Sequence, residues 1–388
     1  MSQLPWQPLY TIERSEQPEV TVYGIISVVG GNSSSGRPDE ILAYGDVNHI
    51  LWSRSLLKPW QLLSHYEIVK DNFPKLKPKH LALMMASHSC EQIHLDLLAD
   101  IIAIGRLEED MLLCPASLPM SADMRTRFKA SGQQPSSLFH NCSGKHLSYL
   151  LSLRAQHKAT LDYVNLDNLE HRRLEAILAA ELGRRADSFL VTTDGCQLPN
   201  YGLGARELAT LYNHLSAADE DAQEAQNDDA EDQQTSFAAL QQRHAGSGDT
   251  AESALQYRGE LKSLMRQYPE VIGGSDRFDT KLMQGRFAKA KQLQLIAKDG
   301  ADGLLAVGVL PTEKYPDGLG ILIKVSSGYE IRHMEAILGE LLRQLDLYEV
   351  KPMLTIVSND KAAVKTDHIK TYFHFQITQN ARSGALST

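Results

Sequence analysis

In the run His140-Asn-Cys-Ser-Gly-Lys-His146 a thiol, Cys142, and an amine, Lys145, stand three residues apart. Leu147, Tyr149, Leu150, Leu151 and Leu153 follow, so a helix is expected to open here, with Gly144 as its poorest helix former. Side chains at that spacing share a helical face and can converge on one ligand. Cys196 would bring a second thiolate to the same place. Two thiolates suit zinc, whereas lysine is an unusual third ligand because it binds only as the neutral amine. The spacing is not that of a zinc finger's paired Cys-x-x-Cys units, and a pair of buried thiols is the alternative. Cys90 and Cys114 have no such company and read as inert core residues.

A second chemistry is written in Ser55-Leu-Leu-Lys58. A neutral lysine one helical turn from a serine can take its hydroxyl proton and make it a nucleophile. The amine must be desolvated or near another cation to be neutral near pH 7. Alone the pattern is weak, since a solvated lysine near a capping serine looks the same. In Ala86-Ser-His-Ser-Cys-Glu91, Ser87 and Ser89 offer hydroxyls, while a capped helix start is the structural alternative. His88 by itself reads as a surface or packed histidine. A last polar island is Ala297-Lys-Asp-Gly-Ala-Asp-Gly303, where the Asp-Gly pairs predict a turn carrying Lys298.

These islands need rigid elements to hold them. Residues 20–30, rich in β-branched side chains and closed by glycines, predict a strand and turn, and residues 40–44 a second strand. Residues 53–63 read as a helix entry with Pro59 in the first turn, where its missing N–H is tolerated. The apolar run 80–85 breaks into the Ser87 island, and a strand at 188–193 ends in Asp194-Gly-Cys-Gln-Leu-Pro199. Three further strands are expected at 293–297, 304–310 and 320–325. A helix follows, with Met334, Ile337, Leu338, Leu341, Leu342 and Leu345 at helical spacing. There is no internal repeat and no clear linker, so residues 1–388 read as one α/β-mixed (α+β) unit.

The net charge of −9 is local in origin. Eight acids and no bases lie between Asp219 and Asp232, and removing them from the 48 acids leaves 40 against 39 bases. Nothing resembles the basic field that nucleic acids require. The acidic tract 217–234 reads as a disordered surface insertion, either a solvated loop or a regulatory arm. No run approaches the roughly 18 apolar residues of a membrane span. The N-terminus lacks the basic and apolar regions of a signal peptide, so a cytoplasmic protein without disulfides is expected.

Taken together, Arg54-Ser55-x-x-Lys58-Pro59, Ala86-Ser-His-Ser89, His140-Asn-Cys-Ser-Gly-Lys-His146, Asp194-Gly-Cys196-x-x-Pro199, Asp276-Arg-Phe-Asp-Thr280 and Lys298-x-Gly-Ala-x-Gly303 resemble one family. It is the L-asparaginases of the Rhizobium etli type, the asparaginase II family, and the resemblance runs from about Val20 to about Val325. It implies a fold similar to serine β-lactamases and glutaminases, a central antiparallel sheet packed by helices. It implies hydrolysis of L-asparagine to aspartate and ammonia through two serine–lysine pairs, Ser55 with Lys58 and Ser87 with Lys298. In this reading Ser55 attacks, Ser87 relays protons or holds the oxyanion, and Arg54, His140 and Asp194 surround the substrate. Further implications are a zinc site at Cys142, Lys145 and Cys196, organising substrate rather than making hydroxide, and a homodimer.

Two positions depart from the family's pattern: Leu56 where a second serine is usual, and Cys90 where glycine is usual. Neither removes a proposed group. Cys90 adds a side chain at a turn that can require positive φ. The rival readings are a glutaminase on the same scaffold, since one methylene is worth only about 1–3 kcal/mol of discrimination, and a zinc-dependent binding module without catalysis. A penicillin-recognising enzyme would also carry Ser-Asp-Asn and Lys-Thr-Gly motifs, which are absent.

Overall fold

The computed structural model describes residues 4–14, 17–31, 37–160, 162–217, 251–286, 293–328, 331–347 and 368–371. From residue 218 onward the acidic tract lies outside the described residues. The long strand β2 (Gln17–Gly30) organises the main sheet. It pairs with β1 (Gln7–Arg14) along its first half, and with β3 (Asp39–Tyr44) along its second. A smaller sheet holds β4 (Ile50–Trp52), β5 (Leu190–Thr193) and β6 (Pro199–Gly204), in the order β4-β6-β5. The main sheet continues through β7 (Leu295–Gly300), β8 (Leu304–Val309) and β9 (Leu319–Val325), with β9 against β2. A short β10 (His368–Thr371) pairs with β1, and among the described residues every strand pairing is antiparallel.

Strand periodicity divides the buried residues into two cores. Ile25, Val29, Ile296, Leu304, Ala306 and Leu322 face the larger core, built with the helices of the central part of the chain. Ile26, Val28, Leu305, Val307, Ile321 and Ile323 face the other way, onto Met334, Ile337, Leu338, Leu341 and Leu342 of the helix Ile331–Gln344. On the first face the helix Ala205–Ala217 lies directly on the sheet. A Cβ at Gly320 would overlap the carbonyl oxygen of Ala209, so a bare backbone is what permits that approach. The expected antiparallel sheet packed by helices is therefore present. Among the described residues no helix is long and apolar enough to cross a membrane.

The expected strands at 20–30, 40–44, 304–310 and 320–325 all appear, shifted by at most a few residues. One expectation needs correction. Lys298 is not a turn lysine but a fully buried residue within β7, paired across to Ala306. The hairpin turns at the second Asp-Gly pair instead, where Asp302 (φ 61°) and Gly303 (φ 79°) take the left-handed conformation. On β7, Lys298 shares the face of Ile296 and so projects into the larger core. That core holds the rest of the site.

Candidate active site

Four chain segments meet where β7 passes the start of the helix Lys58–Leu63. Arg54–Leu57 forms a 3-10 turn that runs straight into this helix, with Pro59 in its first turn. Arg54 itself is left-handed (φ 51°), and its N–H donates to Asn200 Oδ1 at 3.0 Å. Residues 87–89 lie outside any helix or strand and are held by backbone bonds: Ser87 N–H to Ile272 O (2.8 Å), His88 N–H to Asn141 O (3.2 Å) and Ser89 N–H to Gly273 O (2.8 Å). The helix expected to open at this run is Ser143–Ala155, with Cys142 just before its first residue, and the Cys142 N–H donates to His140 Nδ1 at 3.1 Å. A tight loop after β5, closed by Asp194 N–H to Leu198 O (2.8 Å), presents Asp194 and Cys196.

Lys58 sits at the centre of this meeting point. Its ammonium is fully buried and donates to Ala86 O (2.5 Å), Ser87 Oγ (2.9 Å) and Asn141 O (3.4 Å). Burial, opposed by Cys142 and aided by the cations Lys145 and Lys298, pushes its pKa down to about 8. A lysine of that acidity is a usable proton acceptor near neutral pH. Ser55 is partly exposed and its hydroxyl makes no hydrogen bond among the described residues, whereas Ser87 is 1% exposed. The observed contact thus joins Lys58 to Ser87. This differs from the pairing implied by resemblance, which joined Ser87 to Lys298.

Lys298 has other partners. Its Nζ lies 3.1 Å from Asp279 Oδ2 and 3.4 Å from Asp299 Oδ1. Asp299 is gripped through both oxygens by Arg277, at 2.7 Å each. Burial opposes ionisation at Asp299, but Arg277 and Lys298 outweigh it and hold the carboxyl well below its usual range. Asp279, buried and facing Asp299, is pushed up. No role for Arg277, Asp279 or Asp299 was readable from the sequence. The motif Asp276-Arg-Phe-Asp-Thr280 was visible, but its link to Lys298 spans the turn into β7.

On the other side of Lys58, Lys145 Nζ donates to Cys196 Sγ at 3.2 Å, and Cys196 Sγ lies 3.8 Å from Asp194 Oδ2. A hydrogen bond from Cys196 holds the Cys142 thiol well below its usual range, against burial and with help from Lys58 and Lys145. Burial depresses Lys145, but Cys196, Cys142 and Asp194 outweigh it and hold the amine above its usual range. Among the described residues no three His, Cys, Asp or Glu side chains form a metal-binding group. What converges is two buried free thiols and one amine; the thiols suit a soft divalent ion such as zinc, and the amine would have to lose its proton to join them. Cys90 and Cys114, by contrast, are pushed up to about 12 by burial, which keeps them inert.

Arg54 spans the mouth of the site. Its Nε is 3.1 Å from Asp194 Oδ1 and its Nη1 is 3.0 Å from Asp302 Oδ2. Arg54 Nε and Asp194 Oδ1 are close without the alignment of a hydrogen bond, so each is left without a hydrogen-bond partner. His88 is buried, its Nε2 2.8 Å from Ser143 Oγ, and burial beside His94 and Lys58 holds it neutral. A separate cavity of about 360 Å³, lined by His65, Arg172, Arg173 and Tyr257, touches none of the residues predicted for the site.

The two departures have clear structural settings. Leu56 is fully buried in the larger core. Cys90 holds φ at 63°, the conformation that glycine adopts freely and an L-residue adopts at a cost of roughly 1–2 kcal/mol. Relief of that strain should offset the loss of one small buried side chain. Cys90→Gly is therefore expected to change unfolding free energy by less than about 1 kcal/mol. Cys114→Gly, in ordinary backbone, should destabilise by about 2 kcal/mol. Urea melts of both variants check the contrast.

A model of the L-asparaginase II family matches residues 11–370. No curated protein matches the chain. Among solved structures, a probable glutaminase from Bacillus subtilis complexed with 6-diazo-5-oxo-L-norleucine is similar at 13% identity and a TM-score of 0.34, over 84% of this chain and 85% of that one.

Proposed function

Because the chain belongs to the L-asparaginase II family and so is an amidohydrolase, we propose that it hydrolyses the side-chain amide of L-asparagine with Lys58 as its proton acceptor. The observation that carries this reading is the 2.9 Å contact between buried Lys58 Nζ and Ser87 Oγ, one helical turn from the accessible hydroxyl of Ser55. Ser55 Oγ attacks the amide carbon while its proton passes, by way of the Ser87 hydroxyl, to neutral Lys58. The tetrahedral intermediate collapses when Lys58 returns that proton to the leaving nitrogen, which departs as ammonia. An aspartyl ester remains on Ser55. Water, losing a proton to Lys58, attacks the ester and restores the Ser55 hydroxyl as aspartate leaves.

Recognition falls to the groups at the mouth. Asp194 Oδ1 and Arg54 Nε lack aligned partners, so they suit the ammonium and carboxylate of an α-amino acid. His140, which accepts from the Cys142 N–H, is the third group assigned to the substrate. Cys142, Cys196 and Lys145 would hold zinc, which would supply a fixed positive charge to balance the thiolates and order the substrate's polar groups. A second reading, with Ser87 as nucleophile, is favoured by the same 2.9 Å contact. The choice between them belongs to the serine variants.

The test is ammonia release from asparagine and glutamine in parallel, before and after chelation, with metal content measured on the same sample. Activity on asparagine is expected to exceed that on glutamine; silence on both would remove the reading. The pH profile gives an independent check. Lys58 accepts a proton only when neutral, so kcat/KM should rise with pH to a plateau, with a midpoint near its pKa of about 8. A flat profile between pH 6 and 9 would exclude Lys58 as the acceptor.

A further inference from the structure

Two lysines enter this site, and their surroundings are opposite. Around Lys58 Nζ stand two carbonyl oxygens and a hydroxyl, with no carboxylate among its hydrogen-bond partners. Around Lys298 Nζ stand two carboxylates, Asp279 from the helix Phe278–Met283 and Asp299 from its own strand. All three are at least 97% buried, so no water screens the attraction. Asp279 is itself fixed: its Oδ1 accepts from the Thr280 N–H (2.9 Å), and its Oδ2 from the Asp299 N–H (3.3 Å). Arg277 clamps Asp299 from the other side. A proton acceptor must be able to exist as a neutral amine, and a lysine held between two buried carboxylates is the wrong group for that.

We infer that Lys298 serves as a fixed cation rather than as a second proton acceptor, and that Asp279, with the Arg277–Asp299 pair, is the positioning residue that holds its ammonium in place. The inference rests on the proposed amidohydrolase reading and deepens it. Division of labour between the lysines follows. The charges facing Lys58 are Cys142 and Lys145 at the helix Ser143–Ala155, Cys196 from the loop after β5, and Lys298 from β7. Those facing the Lys298 cluster are Asp279, Asp299, Arg277 and, toward the carboxylates, the phenol of Tyr212. Of these, Lys298 acts in the same direction as Lys145, helping burial to lower the Lys58 pKa. It thereby leaves Lys58 free to take the serine proton.

The test uses the full chain, with kcat/KM for asparagine measured across pH 6–10 in wild type, Lys298→Arg and the double variant Lys298→Met/Asp279→Asn, and with folding of each verified by circular dichroism. Arginine keeps the charge but cannot accept a proton near neutrality. Lys298→Arg is expected to lose less than about tenfold in kcat and to keep the midpoint of the pH profile. The double variant removes one cation and one carboxylate together, so no buried charge is left newly unpaired by that pair's loss. Its midpoint should move up by about one pH unit, with activity recovering at alkaline pH. If Lys298 is instead a proton acceptor, both variants lose about 10³-fold or more at every pH, and the inference is overturned. Should Lys298→Arg fail to fold, the double variant decides alone by the same criterion. A wild type that releases no ammonia from asparagine would remove the underlying reading, whereas an active wild type with two dead, folded variants removes only this inference.

Discussion

Ser55→Ala is expected to lower kcat for asparagine by about 10⁴-fold or more, while Ser87→Ala lowers it by about 10²–10³-fold. The asymmetry follows from what each hydroxyl does in the proposed sequence. Ser55 supplies the atom that bonds to the amide carbon, and no neighbouring group replaces it. Ser87 carries a proton between Ser55 and Lys58, and water can take over part of that work. Exposure supports this order, since Ser55 is partly open while Ser87 is buried against Lys58. In the proposed sequence both hydroxyls send their proton to one amine, so single substitutions alone report on a coupled unit. Acid quench during turnover supplies the second readout: the aspartyl ester should be found on the peptide containing Ser55. An ester on Ser87, together with a deeper loss in Ser87→Ala, would transfer the nucleophile to that position.

The chain announces its site more clearly than it announces the wiring. Cys142 and Lys145 were legible as lying at the start of a helix, and Cys142 does occupy the position just before its first residue. The strands β8 and β9 were legible because runs such as Leu304 to Val309 are apolar and close on glycine-containing turns. Lys298 was misread for a physical reason. Asp299-Gly300 looks like a turn, yet Arg277 satisfies the Asp299 carboxylate and lets the pair continue as buried strand. The residue that rescues the aspartate stands 22 positions away. Likewise, no spacing rule could show that Lys58 meets Ser87 rather than Ser55 first, because that contact depends on how residues 87–89 pair with 272–273. β6 was equally hidden: Pro199–Gly204 lacks a strand's alternation because all of it is buried.

Lys58→Met is expected to abolish detectable turnover, a loss of about 10³-fold or more, and yet to make the protein more stable at pH 7. A lysine whose pKa falls from 10.5 to about 8 on folding opposes folding by roughly 3 kcal/mol wherever both states are protonated. The sign follows from proton counts. Below pH 8 native and unfolded chains both carry the proton, and the native state bears the full penalty of the buried ammonium. Between about pH 8 and 10.5 the unfolded chain binds more protons, so wild-type stability rises with pH and the penalty fades. Methionine fills similar space without a charge. It forfeits the hydrogen bonds to Ala86 O and Ser87 Oγ, which takes back about 1–2 kcal/mol. The net gain at pH 7 should be about 1–2 kcal/mol, shrinking toward zero or reversing near pH 10.5. Urea denaturation of both proteins at several pH values measures the difference directly. A pH-independent difference, or destabilisation at pH 7, would mean that Lys58 is no strained base but an ordinary structural lysine, and the proton acceptor would then have to be sought elsewhere.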